Sequence, residues 1–137
     1  MTADPAQTSA LNALGLQDDE IERFLAGEWI VFYFPTTSSP GIAVTVKRDS
    51  LVRLGIVEIN DPGGGIATLL RLKERARAVA RAFGHDHFEV FGAAMINTRF
   101  KSLLLRKGFS ERTELCPEEL GGGSMTIVAR VEHVDEC

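Results

Sequence analysis

The chain has 137 residues, 45% of them hydrophobic, and a formal net charge of -4. That supplies a core for one compact domain and crowds out two. The acidic balance gives no ground for general nucleic-acid binding, and no segment approaches the roughly 20 apolar residues of a membrane helix. Cys116 and Cys137 have no metal-like spacing, and the first residues lack both the cationic start and the apolar run of a signal peptide, so a cytosolic setting without a structural disulfide is expected.

In chain order, residues 1 to 17 read as a flexible arm, with at most a marginal helix over Ser9 to Leu14, and residues 18 to 137 as one domain. Asp18 is placed to cap a short helix that buries Ile21, Phe24 and Leu25 and stops at Gly27. Three β-rich runs follow, Trp29 to Phe34, Ile42 to Lys47 and Leu51 to Ile59, and predict neighbouring antiparallel strands. Ile66 to Phe83 has helical periodicity, with Leu69, Leu72, Ala76, Val79 and Phe83 on one face and a basic, solvated face carrying Arg71, Lys73, Arg75, Arg77 and Arg81. His87 to Phe91 is the next strand, and the helical crossover makes it parallel to the strand ending near Ile59. A short helix from Asn97 to Lys107 precedes two more strands, Glu111 to Cys116 and Ser124 to Glu132, around a glycine-rich hairpin tip.

The segment Asp61-Pro62-Gly63-Gly64-Gly65-Ile66-Ala67-Thr68 carries the chemistry. Glycines between a strand and a helix let backbone N–H groups converge, and the first helical turn adds unpaired donors and the positive end of its dipole, which together suit a phosphate. Such glycines also occur simply to make a turn. With the downstream run Asn97, Leu103, Leu105, Gly108 and Phe109, the segment resembles the GCN5-related N-acetyltransferases. Gly65-Ile66-Ala67 matches the end of that family's pyrophosphate loop, although Pro62 stands where Gln or Arg is usual, and Leu104 stands where many members have a proton-donating Tyr.

The resemblance implies a single α/β domain, a mixed and mainly antiparallel sheet with a central glycine-headed helix. It implies acetyl-CoA as cosubstrate, with the pyrophosphate at Gly63, Gly64, Gly65, Ile66, Ala67 and Thr68, and the pantetheine against backbone groups of Val57 and Ile59 and near Asn97. Asn97 equally serves as a helix cap. Glu58 is the first candidate for the general base and Glu89 the second, although each is also the kind of strand residue that is solvated or ion-paired. His85 and His87 read as a surface turn. The expected function is acyl transfer from acetyl-CoA to an amine substrate, slowed by Leu104. The alternative is a non-catalytic structural or interaction protein that binds a protein partner, for example a phage virion component, because compact chains of this kind also resemble proteins encoded among phage structural genes. Homo-oligomer and virion assembly are both open at this stage, and no membrane or nucleic-acid partner is expected.

Overall fold

The computed structural model describes residues 2–35, 40–49, 51–58, 66–93, 98–118 and 121–135, with the backbone alone at 66, 93 and 98. Its elements run α1 Pro5–Leu14, α2 Asp18–Leu25, β1 Ile30–Phe34, β2 Gly41–Arg48, β3 Leu51–Glu58, α3 Ile66–Ala82, β4 His87–Ala93, α4 Thr98–Arg106, β5 Ser110–Leu115 and β6 Ser124–His133. Among the described residues these form one mixed, mainly antiparallel sheet of order β1-β2-β3-β4-β6-β5, in which only β3 and β4 pair in parallel. This is the predicted α/β class, with α3 as the crossover between the two parallel strands.

Alternation along the strands sorts side chains onto two faces. Phe32 of β1, Val52, Leu54 and Ile56 of β3, and Phe88 and Val90 of β4 join one buried cluster with residues from all four helices. Leu69, Leu72, Ala76 and Val79 of α3 are buried there as expected, and Phe83 packs against its margin, 5.9 Å ring to ring from Phe24. The other face carries its own cluster of Trp29, Val44, Val46, Phe91, Ile127 and Ala129. Among the described residues no helix covers that side.

Curling of the sheet shields the second cluster. Gly27 to Trp29, which enter edge strand β1, and Leu115 to Glu118, which leave the opposite edge strand β5, line one cavity. In a flat sheet five strand spacings, about 24 Å, would separate those edges. The twist must therefore close into a concave surface on this side. Phe91 lies in the concavity with its ring across Gly55, where an added Cβ would come within 2.1 Å of the ring. The glycine provides the close approach that lets the sheet pack on itself. At the β5–β6 hairpin, Gly121, Gly122 and Gly123 all have positive φ (113°, 70° and 76°), which accounts for the glycine run.

Three expectations change. Residues 5–14, expected in a flexible arm, form α1, with Leu11 and Leu14 buried and Gln7 Nε2 donating to Ala82 O at 3.3 Å. The helix starts earlier than Ser9 because Asp4 and Gln7 exchange capping hydrogen bonds around Pro5 at the first helical position. Asp18 is the first residue of α2 and its cap is Gln17, whose N–H donates to Glu20 Oε1 at 2.8 Å. The basic face of α3 is only partly solvated. Arg77 is buried over the Phe88 ring and donates to the carbonyls of His133 and Val134, Arg81 donates to Val134 O at 2.6 Å, and Lys73 reaches Glu132 at 3.3 Å. These cations fasten α3 to the end of β6, which leaves Arg71 and Arg75 exposed.

Candidate functional site

The centre of the sheet opens at the end of β3. Its pairing with β4 runs from Leu51↔His87 to Ile56↔Gly92, yet both strands continue, β3 to Glu58 against Ile42 of β2 and β4 to Ala93 against Ile127 of β6. Among the described residues the β3–β4 pairing thus ends at Ile56 and Gly92, while each strand keeps its outer neighbour for one or two residues more. A bulge marks the same place: Ala43 pairs with Ile56 and Ile42 with Glu58, so Val57 is an extra residue with no Cα partner in either ladder. Bulges bend a strand and raise its local twist. The bulge therefore lies one residue before β3 ends.

The bulge also decides where Glu58 points. Residues paired across a ladder share a face, and Ile42 alternates with Val44 and Val46 on the concave side. Glu58 stands with them, exposed at the rim. In a regular strand it would share the helix face with Ile56. Val57 is half-buried against the concave cluster.

Of the expected coenzyme contacts, Ile59, Gly63, Gly64, Gly65 and Asn97 lie outside the described residues. Ile66, Ala67 and Thr68 form the first turn of α3, where backbone N–H groups lack helical partners. Thr68 is buried and its hydroxyl accepts from Arg71 Nη2 at 3.2 Å. The start of α3 and the parting of β3 from β4 are joined by residues 59–65 alone, so a ligand held at one is within a short loop of the other.

Glu89, the second candidate for the base, is ion-paired. It is buried on the concave face, with Arg53 Nε donating to Oε1 at 2.6 Å and Arg112 Nη2 to Oε2 at 2.9 Å. Arg53 also donates to Glu114 at 2.5 Å and lies over the Phe91 and Trp29 rings, at 4.8 and 5.4 Å from their centroids. Burial acts against the charge of Arg112, but the hydrogen bond and charge of Glu89, with Glu114, outweigh it and raise the guanidinium pKa. The cluster ties β3, β4 and β5 together across the concave face. The sequence reading missed Arg53, Arg112 and Glu114. A usable signal existed, since Arg53 and Glu89 interrupt apolar strands in a phase that continued burial would give to hydrophobic residues.

His87 is exposed at the start of β4, with its ring 4.8 Å edge-on from that of His133, far down the strand from the parting. Burial, then the charge of Lys47, lowers the pKa of His85, with Asp86 acting in opposition, and its Nδ1 has no hydrogen-bond partner among the described residues. Leu104 is 1% exposed inside the helix-side core. It is a packing residue of α4. The described residues include no group of three or more potential ligands able to hold a metal, and no helix long and apolar enough to cross a membrane.

No family model matches the sequence, and no curated protein is similar to it in sequence. Solved structures similar to the chain over nearly its full length are acetyltransferases. A Desulfovibrio desulfuricans protein assigned to the GNAT family shares 13% identity with a TM-score of 0.45, covering 97% of this chain and 96% of its own. The IAA acetyltransferase of Bacillus cereus shares 18% identity with a TM-score of 0.40, covering 95% and 93%. A Bacillus subtilis acetyltransferase in complex with CoA shares 20% identity with a TM-score of 0.38, covering 94% and 92%. Likeness at this level transfers no residue role, so the chemistry rests on this chain's own residues.

Proposed function

We propose that the chain transfers an acetyl group from acetyl-CoA to an amine, with the coenzyme held between the start of α3 and the gap between β3 and β4. One observation carries the reading: the pairing of the two central parallel strands ends at a bulge, immediately before a glycine-rich loop that opens a helix. Val57 there has no Cα partner in either ladder, and its backbone is the one this reading offers to the amide-bearing pantetheine arm. The N–H groups of Ile66, Ala67 and Thr68, preceded by Gly63, Gly64 and Gly65, suit the pyrophosphate. In sequence, Ile59 follows β3 and Asn97 precedes α4, and this reading gives both to the coenzyme.

The coenzyme supplies an acyl thioester. The amine nitrogen forms a bond to the thioester carbonyl carbon, the carbon–sulfur bond breaks, the nitrogen gives up a proton, and the sulfur leaves as thiolate to be protonated by water. In this reading Glu58, turned by the bulge to the concave rim, takes the amine's proton.

Leu104 supports a second reading, a non-catalytic protein on the same scaffold that binds a protein partner, as a virion component would. The residue is sealed in the core and offers no acid to the leaving thiolate. Calorimetric titration with CoA and acetyl-CoA, followed by turnover on an amine panel, separates the two. The enzymatic reading expects binding that Gly65→Val abolishes and turnover that Glu58→Gln lowers by roughly 100-fold to 10,000-fold. Absence of binding at millimolar coenzyme would sink it.

A further inference from the structure

The curled face carries an open cavity away from the end of β3. The cavity, of about 500 Å³, lies on the concave side, lined among others by Trp29, Arg48, Arg53, Leu115 and Glu118. Its volume is in the range of small-molecule sites, roughly 300 to 1,000 Å³. It is separate from the proposed acetyl site, because Arg53 precedes Val57 by four residues, about 13 Å along β3.

The two guanidiniums are each anchored through one side and open on the other. Arg48 donates from Nε to Gly27 O at 3.4 Å, and its terminal nitrogens meet no acceptor among the described residues. Arg53 is fixed through Nε and Nη2 and stacked on two rings, while its Nη1 meets no acceptor there. Such held forks suit a carboxylate.

Three carboxylates face the same space, and two are already shared: Glu114 with Arg53 and Arg112, Glu28 with Arg23 at 3.7 Å. Glu118 has no cation among the described residues. A ligand of one sign would meet its own sign in this cavity. A ligand carrying both signs would satisfy Arg48 and Arg53 at one end and Glu118 at the other. Leu115, 83% exposed, adds an apolar wall that a ligand's side chain can cover.

We propose that this cavity binds a free amino acid with an apolar side chain, its carboxylate on Arg48 and Arg53 and its ammonium on Glu118. The site does not depend on the acetyl-transfer reading, and the two are tested with different ligands.

Trp29 is the chain's single tryptophan and lines the cavity, so its fluorescence reports binding at this place. The full chain is titrated with phenylalanine, with phenethylamine, which lacks the carboxylate, and with 3-phenylpropanoate, which lacks the amine. Phenylalanine should bind at least about tenfold more tightly than either half, since each lost charge-assisted hydrogen bond costs about 1.5 to 3 kcal/mol. Arg48→Ala should remove its advantage over phenethylamine, and Glu118→Gln its advantage over 3-phenylpropanoate. Both residues are exposed, and circular dichroism checks that the variants fold. Equal affinity for phenylalanine and either half-ligand overturns the proposal. So does binding that leaves Trp29 unchanged, or no binding at millimolar phenylalanine.

Discussion

Replacing Glu89 by Gln tests whether this carboxylate fastens the curled sheet or serves in catalysis. The amide keeps the shape but removes the charge between Arg53 and Arg112, both within 3 Å of it, and presents one of them with an N–H instead of an acceptor. Breaking a buried ion pair from one side costs about 3 to 5 kcal/mol. Arg53 keeps Glu114, and Arg112 is nearly half exposed, so water screens its share. The expected loss is therefore toward the lower limit, about 3 kcal/mol. For a domain of this length that lowers Tm by roughly 10 °C. Urea denaturation, monitored by fluorescence and circular dichroism, gives the free energy. A double variant, Arg53→Met with Glu89→Leu, should cost less than the two single changes together, because it removes the desolvated charges as a set. A loss below about 0.5 kcal/mol for Glu89→Gln, the scale of an ordinary surface change, would refute the fastening role. So would strict additivity in the double variant. Unchanged stability with acetyl transfer abolished would return Glu89 to the catalytic machinery.

Gly55→Ala should destabilise the fold by about 1 to 3 kcal/mol through overpacking, because its methyl would enter the Phe91 ring, and adding Phe91→Leu should recover part of the loss in the same denaturation assay. Leu104→Tyr should lower Tm without raising turnover, since position 104 faces the core; a gain in turnover at unchanged stability would show that α4 presents it to the site. His85 has a pKa below its ordinary 6.5, so the unfolded chain takes up a proton there before the folded chain does. Its contribution is complete above pH 6.5, is lost as pH falls from 6.5 toward the folded value, and is level below that. His85→Asn should flatten that part of the stability–pH curve, measured by urea midpoints from pH 5 to 8, and an unchanged slope would assign it to other groups.

The strands and α3 were legible because two-residue and helical periods are local properties, set by which residues must face one core. The alternation Val52, Leu54, Ile56 and the spacing Leu69, Leu72, Ala76, Val79 are readable without knowing what they pack against. α1 was obscured because its apolar face is narrow, and the cap at Asp4, Pro5 and Gln7 carried the start signal instead. Arg77 illustrates a different limit. A helical arginine reads as solvated unless one knows that the carbonyls of His133 and Val134, distant in sequence, will meet it. Arg53, Glu89, Arg112 and Glu114 likewise become one cluster only once the sheet curls and brings strand β5 toward β3. The glycine loop was legible as a motif, though residues 59–65 lie outside the described structure.

Val57 connects fold to chemistry through a single extra residue. Were the same sequence paired without a bulge, Ile42 would face Val57, Glu58 would turn toward the helices, and that acid would sit on the side that four helices already fill. With it, the carboxylate faces the concave side, where the described residues place no helix, while the pairing of β3 with β4 has already ended at Ile56 and Gly92. The proposed transfer uses both features: the end of the described ladder for the acyl donor and Glu58 for the amine's proton. Bulges recur where a strand must re-aim a side chain or end its pairing, and this one does the former for Glu58.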